Sequence, residues 1–599
     1  MNSGNTKKNV IYDKYAYCSI AAITIFYLIN NLIWLKLNVY PHGPDEFSHL
    51  FIAQNFYNAL HSGKIGYLIN LFKSSTDTFW PPLFHFTAAG LSFVLGNSST
   101  SPLIINLFCL LTLLFSVYSI GCQLYNKTIG ILAILLLSLY PMVFRYSRFF
   151  GPDFAQMSVL CLSIYLLICT EHFLNRRFSV LFGISIGFGL LIKLAFALFL
   201  VGPLAYIVLQ IFFLRTKRRI RLRVVLVNLT LSLLIGTLIS LIWYLPSFAS
   251  MSIRLKMFFH TFVGSPFVQQ SISKAPEAFE LDKSFGYLRF LVNEQISFLF
   301  LLVFVLALPF FFKKRENKLI LVFWYICPFI ALSLSSYKEG RFMLSALPAV
   351  ALISAVGLQE LFSYRPNYFL KHLFYAMLIS LGLVQFFDVS YNYARKDKTL
   401  PFKTPIGILH MLCYPTTEQH GWGLYGPPFK KDWKFEKIAA SIVKSSSNKF
   451  QTDSQILVGV IGEDDYVRLV FGFPKTLDYY LARENTKAFF RCIELSSPPS
   501  KDDWSFIKKI DDFNYIIFIS GLKSWPGFDD LKPVFNKFLR RATSLGKLRK
   551  YLYNIKQPYD FKDAPERLRK FIDNKDDNFI LIEKIKLADG YDAYVYTRK

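Results

Sequence analysis

Long apolar blocks separated by short polar segments fill about the first 390 residues of the chain. Most of these blocks are long enough to cross a bilayer core of about 30 Å as a helix. The block 179–192 is short, so 179–213 could instead form one long broken element. The pattern predicts eleven membrane-spanning helices, at about 17–37, 102–123, 128–144, 154–173, 179–192, 194–213, 224–245, 294–312, 319–336, 343–361 and 370–388.

The pattern changes beyond about residue 389, where charged residues become dense and the apolar runs shorten to strand length. Helical stretches fit between these runs, at 435–444 and 531–541. We therefore expect a polytopic α-helical membrane domain, residues 1–388, followed by a soluble α/β domain, residues 389–599. The runs that predict strands are 455–460, 515–519, 580–586 and 591–597.

The distribution of lysine and arginine predicts how the chain is oriented, because basic residues concentrate in cytoplasmic loops. Lys7, Lys8 and Lys14 precede the first block, which favours a retained signal anchor with a cytoplasmic N-terminus. If 81–95 lies along the membrane surface, four later basic clusters also fall on the cytoplasmic side. We thus predict a multi-pass inner-membrane protein with an extracytoplasmic C-terminal domain. The four clusters are 176–177, 215–223, 313–315 and 365–371.

The composition supports a membrane protein, with 53% hydrophobic and 17% aromatic residues over 599 positions. A net charge of +27 would suit nucleic acid, but many basic residues lie in clusters between apolar blocks. We expect no nucleic-acid partner, and the positive surplus suits membrane lipid headgroups or a phosphate-bearing substrate. Cys413 and Cys492 lie in the polar C-terminal part and could form one disulfide in an oxidising compartment.

With this topology, ionisable side chains gather on the outer face of the membrane. Such groups are costly at a membrane rim unless solvated or paired, so they mark candidate functional sites. Carboxylates beside cations suit a proton acceptor next to a phosphate-like group. Most of these residues also have a structural alternative, such as helix capping by Asp45 or Asp153, or pairing of Arg341 with Glu339. The candidates are Asp45, Glu46, His49, His85, Arg148, Asp153, Lys193, Tyr337, Lys338 and Arg341.

Four motifs stand out among these segments. They are Pro44-Asp45-Glu46 with His49, Trp80-Pro81-Pro82-Leu83-Phe84-His85-Phe86, the loop Arg148 to Asp153, and Gly189-Leu190-Leu191-Ile192-Lys193 with Arg341 further on. In this order they resemble the GT-C fold glycosyltransferases that use lipid-carried donors. Within that class the chain is most similar to the aminoarabinose-transferase and protein O-mannosyltransferase branch. The resemblance covers about residues 15–390.

The resemblance implies a polyprenyl-phosphate sugar donor and a glycolipid, glycan or protein hydroxyl as acceptor. It implies an inverting transfer at the outer face, in which Asp45 accepts or orients the acceptor proton. Lys193 and Arg341 would stabilise the leaving phosphate, with Arg148 and Lys338 behind them. The implied catalytic residues are Asp45, Glu46 and Asp153. The implied substrate-binding residues are Lys193, Arg341, Arg148, Lys338, Tyr337, His85 and His49.

One departure from the family pattern limits what can be transferred. Family members often carry an acidic-basic pair just before the Pro-Pro, whereas this chain has Phe79 and Trp80. We therefore assign no metal ligands and no certain cofactor, and a divalent metal is left open. Two rival classes also stay open: a transporter of a lipid-linked or anionic solute, and a non-enzymatic assembly protein. Convergence of the polar residues at one face favours the transferase, and a cavity at mid-membrane favours the transporter.

Overall fold

The computed structural model describes most of the helical part of the chain and separate segments beyond it. In the helical part these are residues 14–38, 44–73, 80–98, 101–216, 221–248, 286–313, 318–334, 338–364 and 367–392. Beyond it they are 400–405, 407–412, 428, 434–446, 455–462, 473–484, 489–494, 514–521, 579–587 and 591–598. Tyr337, Cys413 and the predicted helix 531–541 lie outside the described residues.

Helices dominate the described residues. In chain order they are α1 (Lys14–Leu37), α2 (Pro44–His61), α3 (Ile65–Lys73), α4 (Leu83–Leu95), α5 (Ile105–Leu124), α6 (Lys127–Leu139), α7 (Pro141–Tyr146), α8 (Pro152–Cys169), α9 (Arg176–Ile192), α10 (Phe196–Thr216), α11 (Leu222–Tyr244), α12 (Gly286–Phe290), α13 (Ser297–Lys313), α14 (Lys318–Ser333), α15 (Leu347–Tyr364), α16 (Tyr368–Tyr391), α17 (Phe435–Ser446) and α18 (Phe473–Glu484). Ser101–Ile104 and Gly340–Ala346 are 3-10 helices, and Leu291–Gln295 is a π-helical turn.

The strands are β1 (Pro401–Thr404), β2 (Gly407–His410), β3 (Gln455–Gly462), β4 (Phe489–Glu494), β5 (Tyr515–Gly521), β6 (Phe579–Lys586) and β7 (Tyr591–Arg598). By packing, the chain divides into two compact units. The first comprises Met1–Lys36, Ile65–Thr417 and Tyr425–Pro428, and the second comprises Leu37–Lys64, Glu418–Leu424 and Phe429–Lys599. Helix α2 therefore belongs to the second unit. The predicted functional division between residues 388 and 389 stays a prediction.

The described residues include seven helices that are long and apolar enough to cross a membrane. The number rises to eight if the pair Gly286–Gln295 and Ser297–Lys313, bent by 116°, forms one span. Within the described residues, each of the eleven blocks predicted to span falls mainly on helix, although the block 128–144 is divided between α6 and α7. The chain is an integral membrane protein, and the predicted polytopic α-helical class is confirmed. The exact number of spans and their orientation stay predictions. The seven helices are Lys14–Leu37, Ser101–Leu124, Pro152–Cys169, Phe196–Phe213, Leu222–Tyr244, Gly340–Ser363 and Tyr368–Tyr391.

Asparagine side chains begin three of the helices by capping free backbone N–H groups. Asn126 accepts from the backbone N–H of Ile129 at 3.0 Å, at the start of α6. Asn175 caps α9 and Asn367 caps α16 in the same way. Helices α7 and α8 begin instead with proline, which lacks the N–H that a first helical position would leave without a partner. These local signals place the starts of these helices, including α8 and α9, which carry the site.

Helices α9 and α11 pack at unusually short range. A Cβ at Gly183 would lie 2.5 Å from the carbonyl oxygen of Ser232, so only glycine permits this approach. The Ser232 hydroxyl donates to the carbonyl of Ser179 at 2.7 Å. The Tyr244 hydroxyl donates to the carbonyl of Leu190 at 3.0 Å, within the last turn of α9. These contacts fix the end of α9, directly before Lys193.

The second unit is built around a five-stranded sheet in the order β4-β3-β5-β7-β6. Strand β3 is parallel to β4 and β5, whereas β7 is antiparallel to β5 and β6. Burial of Ile456 and Val458 on β3 follows the two-residue period of a strand. Helix α2 packs on α18, where the Asn58 amide donates to the carbonyl of Ala482 at 2.9 Å. The predicted C-terminal α/β fold is confirmed.

Candidate functional site

Asp153 and Lys193 form a buried ion pair in the first unit. Lys193 Nζ donates to Asp153 Oδ1 at 2.6 Å, and their side chains are 15% and 9% exposed. Asp153 lies in the first turn of α8, where the helix dipole favours a negative charge. Gly151 is the N-cap of that helix, so the alternative that Asp153 caps it is wrong. The backbone N–H of Lys193 closes the end of α9 by donating to Gly189 at 3.1 Å.

Trp80 also lies at this site, although sequence reasoning did not include it among the candidate site residues. Its ring centroid lies 5.5 Å from Lys193 Nζ, within the range of a cation–π contact. A lysine ammonium has three N–H donors, and the Asp153 contact uses one of them. Trp80 thus adds an aromatic face on which the ammonium lies. The signal in the sequence was Trp80 itself, directly before Pro81-Pro82, where the family often has a charged residue.

Arg341 lies in the 3-10 helix Gly340–Ala346 and joins the same group of charges. Its guanidinium forms an ion pair with Glu339, as the structural alternative predicted. The charge of Arg341 also acts on Asp153. The Gln156 amide of α8 donates to the Ser345 hydroxyl at 3.0 Å and so ties α8 to the 3-10 helix. The predicted residues Asp153, Lys193 and Arg341 therefore come together.

Lys338 lies just before this 3-10 helix and is half-buried. Burial lowers the pKa of its ammonium, because a desolvated cation is less stable than a hydrated one. A carbon of its side chain would lie 3.4 Å from a Cβ at Gly286. Lys338 remains a predicted substrate-binding residue.

Arg148 is tied into the protein by its own contacts. Its Nε donates to Asn31 at 3.1 Å and its Nη2 to Ser390 at 2.7 Å. The guanidinium also lies 5.4 Å from the ring centroid of Trp34 and 5.3 Å from that of Phe386. These contacts link the loop before α8 to α1 and α16. They support a structural role, and the substrate-binding role of Arg148 stays a prediction.

The acidic pair of the first motif lies in the second unit, in the first turn of α2. Asp45 is exposed, whereas Glu46 is buried and acts electrostatically on Tyr479. Burial raises the pKa of the Tyr479 hydroxyl. His49 is also buried on α2. The two carboxylates thus have different surroundings within this unit, and their catalytic roles stay predictions.

His85 is fully buried on α4, where its ring meets that of Phe84 edge-on at 5.4 Å between centroids. Phe84 in turn packs on Phe150 at 4.9 Å. These ring contacts support a packing role for His85, and its role in substrate binding stays a prediction. Within the described ranges, no group of three or more His, Cys, Asp or Glu side chains is arranged to hold a metal ion.

Sequence reasoning missed three polar residues on the π-helical turn, Asn293, Glu294 and Gln295. All three side chains are fully buried. The prediction began a span at residue 294, which placed Glu294 and Gln295 in its first turn and left Asn293 in the preceding loop. The available signal was three consecutive polar residues at the start of an apolar run, because buried polar groups require partners.

Comparison with known proteins supports the resemblance. Residues 80–243 match the model of the family described as dolichyl-phosphate-mannose-protein mannosyltransferase, and this segment includes Asp153 and Lys193. No curated protein matches the chain. Similar solved structures include ArnT from Cupriavidus metallidurans in the apo state, at 13% identity and TM-score 0.49, covering 87% of this chain and 95% of that one. The same protein bound to undecaprenyl phosphate is 14% identical, with a TM-score of 0.49, and the match covers 86% of this chain and 94% of that one.

The oligosaccharyltransferase AglB from Archaeoglobus fulgidus, in complex with an inhibitory peptide and a dolichol-phosphate, is also similar. It is 13% identical, with a TM-score of 0.47, and the match covers 84% of this chain and 69% of that one. The family-model match confirms, over residues 80–243, the resemblance to the protein mannosyltransferases.

Proposed function

We propose that the chain is a membrane glycosyltransferase that moves a sugar from a polyprenyl-phosphate carrier to an acceptor hydroxyl at the outer face of the membrane. The observation that carries this proposal is the Lys193–Asp153 pair, with the charge of Arg341 acting on the same carboxylate. Two cations and two carboxylates, the second being Glu339 beside Arg341, thus meet in a largely buried place, and Asp153 and Lys193 lie in the segment that matches the family model.

The arrangement suits a phosphate group. Lys193 retains two N–H donors beyond the one that Asp153 accepts, and charge-assisted hydrogen bonds to phosphate are strong. The first turn of α8 adds the positive end of a helix dipole. In a partly desolvated site such charges stabilise a leaving phosphate more than they would in water. Lys193 and Arg341 are our proposed phosphate ligands.

The place of these residues along the helices supports a transferase over a transporter. Asp153 is in the first turn of α8, Lys193 follows the last residue of α9, and Arg341 precedes α15. All three are therefore at helix ends. A lipid-carried donor has its phosphate at the membrane interface, which is where the ends of spanning helices lie. A transport pathway would need its charged groups near the middle of spans.

The proposed reaction is an in-line displacement with inversion. The acceptor oxygen forms a bond to the anomeric carbon while the bond from that carbon to the phosphate oxygen breaks. The electron pair leaves with the polyprenyl phosphate, and the hydroxyl proton passes to a carboxylate, for which Asp45 remains our candidate. The donor sugar is a hexose or pentose, and the acceptor is a glycolipid, a glycan or a protein hydroxyl.

Binding of undecaprenyl phosphate to the purified full chain in nanodiscs tests the proposed site. Wild type should bind it, and Lys193→Ala should bind about tenfold more weakly or worse, since a charge-assisted hydrogen bond is lost. Arg177→Ala is the matched control, because it removes an exposed cation from the other end of α9. Equal binding by wild type and both variants would show that undecaprenyl phosphate binds non-specifically, and it would overturn the assignment of Lys193 as a phosphate ligand.

A further inference from the structure

The π-helical turn Leu291–Gln295 holds polar side chains in a fully buried place. It lies at the junction where the chain bends by 116° before α13. Asn293, Glu294 and Gln295 are each 0% exposed. Burial of three consecutive polar groups is costly unless each finds a partner, and π-helical turns are frequent at functional sites. The partners of these three side chains therefore indicate what the turn does.

Two of the three side chains, those of Glu294 and Gln295, contact the same residue, Gly340. The Gln295 amide donates to the carbonyl of Gly340 at 2.7 Å. The carboxylate of Glu294 lies against the other side of the residue, where an oxygen occupies the place that a Cβ would take. A Cβ at position 340 would therefore displace the Glu294 carboxylate. Asn293 turns elsewhere, accepting from the backbone N–H of His410 and donating to the carbonyl of Ile408, both at 3.0 Å.

Gly340 lies between the two members of an ion pair, Glu339 and Arg341. Contacts that restrict the backbone at Gly340 therefore also restrict the Cα positions of Glu339 and Arg341, from which the paired side chains extend. The Gln295 amide donates to that backbone and the Glu294 carboxylate lies against it, both from a separate element, and the 3-10 helix beyond it is tied to α8 through Gln156 and Ser345.

We propose that Glu294 and Gln295 are positioning residues that hold Gly340, and through it set the Arg341 guanidinium for the phosphate of the lipid-carried donor. They act through Arg341 and need not touch the substrate. The role of Arg341 toward a lipid phosphate rests on the proposed function, whereas the contacts of Glu294 and Gln295 with Gly340 do not. A side chain at 340 would push the segment away from Glu294, and loss of the Glu294 side chain would let it loosen.

Hydrogen exchange in the purified full chain tests the grip without any substrate. Amides 339–342 should exchange at least about tenfold faster in Glu294→Ala than in wild type, because local opening becomes easier. Glu294→Gln keeps the length and an acceptor oxygen, so it should retain most of the protection. Asn293→Ala is the matched control from the same turn, and it should affect amides 408–410 instead. Unchanged exchange at 339–342 in Glu294→Ala would overturn the proposal.

A double-mutant cycle tests whether Glu294 and Gly340 act on each other. Gly340→Ala alone should accelerate exchange at 339–342, because the new Cβ overlaps the carboxylate. The same change in the Glu294→Ala background should have a smaller effect, since the overlapping group is gone. Additive effects of the two substitutions would contradict a direct contact.

Binding of undecaprenyl phosphate to the same variants tests the link to Arg341. We expect Glu294→Ala to weaken binding about tenfold, and Asn293→Ala to leave it unchanged. If wild type binds no undecaprenyl phosphate while hydrogen exchange at 339–342 changes as expected in Glu294→Ala, the proposed function fails. The contact of Glu294 with Gly340 is then still supported. If wild type binds it and Glu294→Ala binds equally well, the positioning role is overturned.

Discussion

Lys193 donates a 2.6 Å hydrogen bond to Asp153 across the ends of two helices, and neither side chain is more than 15% exposed. Each charge satisfies the other in a place where a lone charge would be costly. Removal of one partner from such a pair typically costs about 3–5 kcal/mol, because the remaining charge stays buried. The pair is therefore important for stability as well as for the proposed chemistry.

Substitution of both partners separates these two contributions. Asp153→Asn should lower thermal stability and impair transfer, and Lys193→Met should do the same. The double variant should recover much of the stability, because no unpaired charge remains, but it should not recover transfer. Thermal unfolding in nanodiscs measures the first quantity and turnover the second. Additive losses of stability would mean that the two charges do not interact.

Arg341 is expected to need its guanidinium shape as well as its charge. Arg341→Lys keeps the charge but loses the planar fork that can serve Glu339 and a phosphate together. We expect donor KM to rise about tenfold, with a smaller change in stability. Steady-state kinetics with the full chain measures this change, and an unchanged donor KM would remove Arg341 from the phosphate site.

Arg148 should behave in the opposite way, although it is an arginine from the same set of candidates. Arg148→Lys loses the hydrogen-bonding fork to Asn31 and Ser390 and the stacking on Trp34 and Phe386. We expect a loss of about 2 kcal/mol in the free energy of unfolding with donor KM unchanged. A raised donor KM at unchanged stability would restore Arg148 as a substrate ligand.

Lys338 predicts a pH dependence. Its pKa is lowered from the ordinary lysine value of 10.5, so it loses its charge at lower pH than an exposed lysine does. If Lys338 contacts the donor phosphate, binding of undecaprenyl phosphate should weaken as pH rises through this lowered pKa. Lys338→Arg should remove the dependence, because arginine stays charged. The same pH profile in wild type and Lys338→Arg would assign the effect to another group.

The acidic pair gives a prediction about catalysis. Asp45→Asn is nearly isosteric at an exposed position, so the fold should survive. Loss of a positioned general base should reduce turnover about 100- to 10,000-fold. Glu46→Gln is the matched neighbour, buried beside Tyr479, and should retain turnover. Normal turnover in Asp45→Asn with loss in Glu46→Gln would make Glu46 the base, and normal turnover in both would end the proposed mechanism.

The helical part of the fold could be predicted well because its signal is local. A run of apolar residues long enough to cross a bilayer predicts a helix wherever it occurs, and the described residues of all eleven blocks are mainly helical. The start of α8 and the end of α9 could also be predicted, since Pro152 and Lys193 mark them in the sequence. The association of Asp153 with Lys193 needed only the assumption that both lie at one face.

Contacts between distant segments could not be predicted in this way. Glu294 and Gly340 are in contact although they lie on separate elements, and the chain bends sharply at Ser297, which has a positive φ of 74°. Nothing in the local sequence predicts that contact. The placement of α2 also escaped prediction, because its burial against α18 depends on contacts such as Asn58 with Ala482, 424 residues apart. The sequence predicted a loop with a candidate base, and the structure shows an 18-residue helix.

Mass spectrometry of lipids, glycolipids and glycoproteins from cells with and without this chain tests the central claim most directly. It requires no prior choice of sugar or acceptor. Without the chain, a polyprenyl-phosphate-linked sugar should accumulate and one class of glycoconjugate should lose that sugar. Lys193→Ala and Asp45→Asn should reproduce the loss, and Arg177→Ala should not. Identical lipid-linked sugars and identical glycoconjugates in all of these cells would contradict the assignment of the chain as a glycosyltransferase.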